Sequence, residues 1–436
     1  MKVLEIEKKI GIETFLTSQP GLGGKLRVKP EDFLVKEIPS YPIENKDGKF
    51  TIAEITSTSW ETNLLVRELS AHLNISKKRI NFAGTKDKRA KKMQIMSFYN
   101  VPVDKIKKIK IKDVQIENIY QSIKPVKLGN LKGNYFEIII RIIKPQTKPE
   151  KVTEILSSIK NNGGFPNFFG IQRFGIIRPI THMVGKYIVQ GDFEKAVMTY
   201  IANPIKGEDE DTFNLRKNLE KTKNFSEALK TYPKHLSFEK AILNKLVINP
   251  DDFIGSLKEL PKNLLTMFVY AYQSYLFNRI LSMRIKKGLP LNKAVEGDFI
   301  LAFRKGTFQD EIIPVKKNNI DKVNLQIFKG KACVSSILFG YNTIFSNGEM
   351  GEIEHKIIES ERFDPRDFII PEIPFISSSG SRRSIVGFIQ DFHFNLIKDD
   401  IKPNKKALFL TFQLHKGSYA TSLLREFMKS DDIRNY

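Results

Sequence analysis

One carboxylate stands inside a dense run of cations in the stretch RINFAGTKDKRAKKMQI, residues 79–95. Asp87 is flanked by Lys86, Lys88 and Arg89. Nearby positive charge favours the ionised form of a carboxyl group, and a carboxylate nucleophile must be ionised and held in place. The same cations could grip the phosphates on either side of a target nucleotide. The alternative interpretation is a solvated basic loop in which Asp87 is an ion-pair partner.

Other chemistries that these residue types could support lack the required spacing. Gly84 has no second glycine to complete a phosphate-binding P-loop. The six histidines show no metal-ligand spacing. The acids Glu31, Asp32 and Glu37 favour helix capping or ion pairing over a paired-carboxylate hydrolase, because such a pair needs a defined spatial separation. A single cysteine excludes intramolecular disulfides and thiolate zinc clusters, as expected in a reducing cytosol.

Composition favours a folded protein with a polyanionic partner. The chain has 436 residues, 41% of them hydrophobic, which is enough for two or three domains with buried cores. Lys and Arg total 71 against 49 Asp and Glu, a balance of +22, and nucleic acid is the commonest partner for such a charge. No segment has the apolar length of a membrane-spanning helix, and the N-terminus shows no secretory signal. We therefore expect a cytoplasmic protein that does not bind membranes.

Hydrophobic periodicity predicts strands and helices on both sides of the basic run. The helical pattern of 59–73 places Leu64, Leu65, Leu69 and Leu73 on one face, and Asn161 with the following glycines ends the other helix. The alternating Lys and Ile of 104–114 predict a further strand with one cationic face, which is equally well explained as a protected sheet edge. The principal predicted strands span 25–38 (interrupted at Pro30), 50–58 and 134–143, and the predicted helices span 59–73 and 150–160.

The pattern changes in the middle of the chain and then returns. Residues 178–300 are mostly helical in pattern, and 300–345 predict short strands and turns. The polar stretch SSSGSRRS, 377–384, predicts a flexible connection. Two strong strands and a helix beginning near Ser418 follow, and this last block is similar in pattern to the first part. A middle domain inserted into a split outer domain is therefore predicted.

Five blocks of the chain resemble motifs of the TruD family of pseudouridine synthases, in family order. The loop block is GTKDKRAKKMQ around Asp87. The other blocks are RVKPEDFLVKEIP (27–39), LGNLKGNYFEI (128–138), GGFPNFFGIQRFG (163–175) and KGSYATSLLREF (416–427). The middle of the chain matches loosely, and its size is closer to that of archaeal and eukaryotic members.

This resemblance implies an α+β fold and a reaction. The implied architecture is a split catalytic domain, with a mixed or antiparallel sheet and flanking helices, in residues 1–165 and 384–436. A mostly helical TRUD domain would be inserted at 166–383. The family isomerises uridine to pseudouridine in RNA, above all at position 13 of certain transfer RNAs, with no cofactor or metal. The implied partner is therefore tRNA, and no obligate protein partner is evident.

The resemblance also assigns roles to individual residues. The family's essential aspartate falls on Asp87, as nucleophile at the ribose or as the base that removes a sugar proton. Phe136, in a G-N-x-F element, would stack on the flipped uracil, although its residue type alone favours a core position. Asn134 would orient the loop or bind the nucleotide. Arg27, where bacterial members tend to have Lys, would pair with Asp87, and Arg425 is the rival partner.

The remaining implied site residues have roles that the sequence leaves open. Phe33 is either a pocket wall or a core residue. Lys86, Lys88 and Arg89 would bind phosphates, and Arg173 would either touch RNA or hold the hinge between domains.

Three alternatives compete with the synthase. A non-catalytic RNA-binding or chaperone protein on the same fold predicts loss of Asp87 or Phe136, and both are present. An anionic-membrane-binding protein would need an amphipathic basic helix or a lipidation motif, which the sequence lacks. A nuclease or glycosylase using Asp87 would cut the chain or release uracil, whereas a synthase changes no mass.

Overall fold

The structure is a computed structural model that describes residues 2–86, 89–304 and 307–436, with the side chain of Asp310 left aside. Asp87 and Lys88 lie outside the described residues. Backbone contacts divide the chain into two compact units. The sheet unit consists mainly of Thr17–Phe165 and Gly387–Tyr436. The helical unit contains the residues up to Leu16 together with Pro166–Phe303 and Phe308–Val386.

The strands and helices are numbered in chain order. The strands are β1 Gly23–Lys25, β2 Phe33–Pro39, β3 Phe50–Thr58, β4 Ile80–Phe82, β5 Lys91–Tyr99, β6 Val114–Ser122, β7 Leu131–Ile143, β8 Phe165–Pro166, β9 Phe299–Arg304, β10 Thr307–Pro314, β11 Ala332–Leu338, β12 Ser381–Ser384, β13 Val386–Gly387, β14 Ile389–Lys398 and β15 Lys406–His415. The helices are α1 Glu5–Lys9, α2 Thr62–Leu73, α3 Val103–Lys107, α4 Pro149–Asn161, α5 Thr181–Val189, α6 Phe193–Ile201, α7 Glu210–Thr222, α8 Phe225–Thr231, α9 Ser237–Ile248, α10 Phe253–Lys258, α11 Lys262–Lys286, α12 Ile320–Phe328, α13 Gly348–Glu361 and α14 Ala420–Met428.

The sheet unit is built on one mixed sheet in the order β14-β15-β7-β2-β5-β3-β6, with β1 beside β7 and β4 beside β5. β2 and β5 run parallel, and the other neighbours in the sheet are antiparallel. Helices α4 and α14 pack into one hydrophobic cluster with β2, β7 and β15, while α2 packs into a second cluster with β3 and β5. The predicted α+β class with a mixed sheet is confirmed. The two strands predicted after 384 complete this sheet.

Helix α2 is defined by a capping side chain at its start, a left-handed residue at its end and one buried apolar face. The Glu61 side chain accepts a hydrogen bond from the Leu64 backbone N–H at 2.9 Å, which caps the first turn. The helix ends at Asn74, whose φ of 51° lies in the left-handed region that asparagine tolerates. Leu65, Leu69 and Leu73 are buried as predicted. The prediction for Leu64 was wrong, because this side chain is 40% exposed on the opposite side of the helix.

The helical unit is organised around α11. Phe268, Tyr272 and Leu276 of this helix are fully buried or nearly so. Helix α5 approaches α11 closely at Gly185, where a β-carbon would lie 2.0 Å from the Phe268 carbonyl oxygen. Glycine therefore permits the two backbones to touch. A smaller sheet, in the order β10-β9-β11-β12, completes the unit.

Two further predictions of local structure were wrong. Residues 104–114 were predicted as a strand, but the segment contains helix α3 and a turn, and β6 begins only at Val114. The alternating pattern was misleading because Ile106, which is fully buried, packs from a helix that starts after Pro102. Residues 377–384 were predicted as a flexible connection, but Ser381–Ser384 form β12 and pair with β11.

The domain boundaries predicted from the sequence stay a prediction. The contact-based units differ from them at the N-terminus, where the residues up to Leu16 cluster with the helical unit. Within the described part of the chain, no helix combines the length and the apolar composition needed to cross a bilayer.

Candidate functional site

The segment Gly84–Lys86 runs out of a short strand toward Asp87. β4 ends at Phe82 and pairs antiparallel with the far end of β5, where Ile80 lies opposite Phe98. β5 begins at Lys91 and pairs parallel with β2 through Leu34. The chain between Phe82 and Lys91 is therefore a connection whose two ends both belong to the sheet. Asp87, the predicted catalytic residue, lies in this connection but outside the described residues.

Side chains of the sheet unit hold Gly84 and Lys86, in the described segment just before Asp87. The Lys86 backbone N–H donates to Thr62 Oγ1 at 3.0 Å. Gln94 Nε2 donates to the Gly84 carbonyl oxygen at 2.7 Å. Lys92, which is fully buried, donates from Nζ to the Trp60 carbonyl oxygen at 2.5 Å. Because these partners are buried, the segment before Asp87 is anchored to the core.

The ammonium group of Lys86 forms an ion pair with Glu37. The Nζ–Oε1 distance is 2.7 Å, and the side chains are 11% and 0% exposed respectively. Glu37 Oε2 also accepts the Ile95 backbone N–H at 3.0 Å. The predicted ion pairing is confirmed for Glu37 and for Asp32, which pairs with Arg141 at 2.7 Å; for Glu31 it stays a prediction. The role predicted for Lys86 as a phosphate ligand stays a prediction.

On the other side of Asp87 the chain enters the hydrophobic core at Ala90. Arg89 is exposed, whereas Ala90 is 1% exposed and accepts a hydrogen bond at its carbonyl from the Ser59 N–H at 3.2 Å. Ala90 belongs to the same hydrophobic cluster as Phe33 and Phe136. The backbone three residues after Asp87 is therefore fixed among the aromatic side chains that the sequence analysis assigned to the site.

Those aromatic side chains form a continuous row across β2, β7 and β15. The guanidinium carbon of Arg27 lies 4.0 Å from the centre of the Phe33 ring, in cation–π geometry. Phe33 meets Phe136 edge-on at 6.2 Å, and Phe136 stacks on Phe412 at 5.2 Å. Arg27 is 7% exposed and has a φ of 53°, a strained angle of the kind that clusters at functional sites. The structure brings Arg27, Phe33 and Phe136 together.

Phe136 itself is packed as a core residue. It is 6% exposed and lies opposite Val35 of β2 and Phe412 of β15. The core interpretation of its residue type is therefore correct for this structure. Its stacking on a uracil stays a prediction.

Asn134 lies on the same strand, two residues before Phe136, and opposite Glu37 in the β2–β7 pairing. Its Oδ1 atom is buried and accepts no hydrogen bond from the described residues. Buried polar atoms are nearly always paired, so an unpaired one calls for an explanation. An amide in this position can bind the N–H groups of a ligand.

Arg425 is buried in α14, in a polar cluster with Glu426. Its Nη1 lies 3.4 Å from Glu426 Oε1, and Glu426 Oε2 accepts the Thr17 backbone N–H at 3.0 Å. Burial lowers the pKa of the neighbouring Lys429, whose Nζ donates to the Thr17 carbonyl oxygen at 2.5 Å. Whether Arg27 or Arg425 pairs with Asp87 stays open, because that contact falls outside the described residues.

Arg173 belongs to the helical unit. Its Nε donates to Ser274 Oγ at 3.4 Å, and its guanidinium carbon lies 6.0 Å from the Phe169 ring. The side chain is partly exposed. Its predicted contact with RNA stays a prediction.

Sequence reasoning missed Thr62, Lys92 and Gln94 as residues that shape this site. A signal was available for two of them. Lys92 and Gln94 share a strand face with the buried residues Met96 and Phe98, because side chains of a strand alternate between its faces. A lysine and a glutamine on a core face require buried polar partners, and the neighbouring connection supplies them.

The chain is similar to known proteins along nearly its whole length. A model of the TruD family, described as tRNA pseudouridine synthase D, matches residues 9–427. A Methanosarcina acetivorans protein named "probable tRNA pseudouridine synthase D" is 44% identical, over all of this chain and 99% of its own. An Archaeoglobus fulgidus protein with the same name is 38% identical over 98% of this chain. A crystal structure of a Methanosarcina mazei protein described as "putative tRNA pseudouridine synthase D (TruD)" aligns over all of both chains, with 43% identity and a TM-score of 0.88.

Proposed function

This chain belongs to the TruD family of tRNA pseudouridine synthases, and we propose that it converts uridine to pseudouridine at position 13 of tRNA. In this reaction the bond between ribose C1′ and uracil N1 breaks, the base turns, and C1′ bonds to uracil C5. The proton displaced from C5 is lost and N1 gains one, so the product has the mass of the substrate. Cytoplasmic tRNA is the proposed substrate pool.

Asp87 is the proposed catalytic carboxylate, as nucleophile at the ribose or as base toward a sugar proton. Cations on both sides in the sequence favour its ionised form. Phe136 and Asn134 are the proposed ligands of the base. The target uridine must leave the helical stack before chemistry can reach it, and a stacked ring contributes about 1–3 kcal/mol toward holding it there.

One observation supports the site more than any other. The described residues on both sides of Asp87 are anchored, at Lys86 to Glu37 and at Ala90 to the cluster that contains Phe33 and Phe136. A loop that served only as a solvated basic surface would gain nothing from such anchoring. Anchored ends are expected of a loop that must present one carboxylate at a fixed place.

The charge of the chain supports RNA as the partner. The balance of +22 favours a polyanion. Exposed cations lie on Arg89, next to Asp87 in sequence, and on Lys77 and Lys78, which precede β4 at the opposite end of β5. Phosphate contacts of this kind position a nucleic acid without reading its sequence. We propose that these three residues bind the backbone of the tRNA.

The test treats unmodified tRNA with the purified full chain and maps pseudouridine by chemical labelling and sequencing. A matched tRNA with cytidine at position 13 is the control, since it removes the proposed target and leaves the shape of the RNA nearly unchanged. Pseudouridine at position 13 of the first RNA only is the expected result. Released uracil or cut chains would instead indicate a glycosylase or nuclease, and binding without modification would indicate a non-catalytic RNA-binding protein.

A further inference from the structure

Four side chains form hydrogen bonds to the segment Gly84–Lys86, and we name them the loop cradle. They come from three different elements of the sheet unit, and the structure describes all of them. The loop cradle consists of Glu37, Thr62, Lys92 and Gln94.

The Glu37 side chain continues the hydrogen bonding between β2 and β5 where their backbone pairing ends. The parallel pairing of β2 with β5 stops after Lys36 meets Met93. Glu37 is the next residue of β2. Its Oε2 atom accepts a hydrogen bond from the Ile95 backbone N–H at 3.0 Å, and its Oε1 atom accepts one from Lys86 Nζ at 2.7 Å. One carboxylate therefore joins the strand that follows Asp87 in sequence to the residue that precedes it.

The other members bind backbone atoms of the same segment. Gln94 holds the Gly84 carbonyl at 2.7 Å, and Thr62 Oγ1 holds the Lys86 N–H at 3.0 Å. Lys92 Nζ lies 3.5 Å from both the Lys86 carbonyl oxygen and Thr62 Oγ1. The Gly84 carbonyl oxygen and the backbone N–H and side-chain ammonium of Lys86 are thus hydrogen-bonded to buried side chains.

Stability alone does not account for this arrangement. Burying ionic groups carries a desolvation penalty, and replacing a buried ion pair with apolar residues is often neutral or stabilising. Glu37, Lys92 and Gln94 are all buried. One established use of buried polar groups is to specify a single geometry of the chain that they contact.

We propose that the loop cradle consists of positioning residues that set the place of the catalytic carboxylate, with the Glu37–Lys86 ion pair at its centre. The inference rests on the proposed function, since it assumes that Asp87 reacts with the nucleotide. It assigns Lys86 a role other than phosphate binding. The Lys86 ammonium neutralises Glu37, and the backbone of Lys86 carries Asp87 as the next residue.

The two roles of Lys86 predict different measurements. A lysine that binds phosphate contributes to affinity, and its removal weakens binding and lowers the salt dependence by about one unit of slope. A lysine that positions the loop contributes to the rate of the chemical step, because a misplacement of about 1 Å can lower that rate on the order of 100-fold.

The experiment measures single-turnover rate and tRNA dissociation constant at several salt concentrations, for the full chain. Lys86→Met and Glu37→Gln remove the ion pair from either side with little change in shape, and Lys86→Arg restores a cation. Gln94→Met tests the cradle without touching a charge. Arg89→Met is the comparison for phosphate binding, and Lys160→Met, at the exposed end of α4, controls for loss of one positive charge.

We expect Lys86→Met to lower the single-turnover rate on the order of 100-fold, with affinity and salt slope equal to those of Lys160→Met. Glu37→Gln and Gln94→Met should lose rate in the same way, and Lys86→Arg should regain part of it. An unchanged rate combined with a reduced salt slope in Lys86→Met would overturn the proposal. If Lys86→Met fails to fold, as judged by its melting curve, Gln94→Met decides by the same criterion.

Failure of the proposed function gives a different result. If the wild-type chain formed no pseudouridine, both the proposed function and the loop-cradle proposal would be refuted. If the wild-type chain were active and Lys86→Met and Gln94→Met were equally fast, only the loop-cradle proposal would be refuted.

Discussion

Phe136 offers a direct contrast between a core residue and a residue that also acts on the substrate. It stacks on Phe412, which lies directly opposite on the neighbouring strand. Both rings are buried, at 6% and 0% exposure. We predict that Phe136→Leu and Phe412→Leu destabilise the chain similarly, and that only Phe136→Leu lowers the rate of pseudouridine formation.

The expected loss of stability follows from the aromatic pairs that each change removes. Phe136→Leu removes the pairs with Phe33 and Phe412, and Phe412→Leu removes the pairs with Phe136 and Phe392. Each pair contributes about 0.5–1.5 kcal/mol beyond buried area. Both variants should therefore lose about 1–3 kcal/mol of unfolding free energy.

The expected loss of activity differs because only Phe136 is proposed to contact the base. A base stacked on an aromatic ring gains about 1–3 kcal/mol, which corresponds to a factor of about 5 to 150 in rate. The assay combines denaturant unfolding with single-turnover pseudouridine formation on saturating tRNA. Equal loss of rate in the two variants at equal loss of stability would show that Phe136 acts only through packing, and would refute the assignment.

Three further predictions concern charge. Arg89→Ala should weaken tRNA binding and lower the salt slope of the dissociation constant by about one, as measured by titration at several salt concentrations; an unchanged slope would contradict a phosphate contact. Burial lowers the pKa of His182 to about 4 from its usual 6.5, so the unfolded chain binds more protons between these values and stability falls by about 3 kcal/mol as the pH drops through that window. In His182→Gln the free energy of unfolding should change little with pH between about 4 and 6.5. A steep loss of stability in that range in the variant would contradict the assignment to His182. Asp32→Asn removes one of three carboxylates that pair with the buried Arg141 guanidinium and should cost about 1.5–3 kcal/mol by chemical denaturation, whereas a change near zero would show that Asp399 and Asp400 satisfy Arg141 without it.

The sequence predicted those elements whose hydrophobic period matches their burial. Residues 50–58 were predicted as a strand and form β3 over the same span, because their alternation corresponds to one buried face. The helix at 150–160 was predicted within a residue at each end, and its buried positions recur at helical spacing.

Predictions failed where a distant partner decides the local structure. Ser381–Ser384 has the composition of a loop but is a strand, because β11 supplies the ladder and Arg382 packs over the Phe299 ring at 4.1 Å. Tertiary context overrides weak local preference in such segments. No residue close to 381–384 in the sequence indicates that β11 and Phe299 are the partners.

In the candidate site, too, local motifs predicted some features and distant partners decided others. Sequence motifs assigned Arg27, Phe33 and Phe136 to one site, and the three side chains lie together in the structure, while their roles in the reaction stay predictions. The partner of Lys86 could not be predicted, since Glu37 precedes it by 49 residues and either a phosphate or a carboxylate suits an ammonium group.

The most direct test of the account replaces the one carboxylate on which it depends. Asp87→Asn keeps the size of the side chain and removes its charge and nucleophilicity. Pseudouridine formation and tRNA affinity are measured on the same preparation. We predict that no pseudouridine forms while the affinity stays close to that of the wild type. Full turnover by Asp87→Asn would contradict the catalytic assignment.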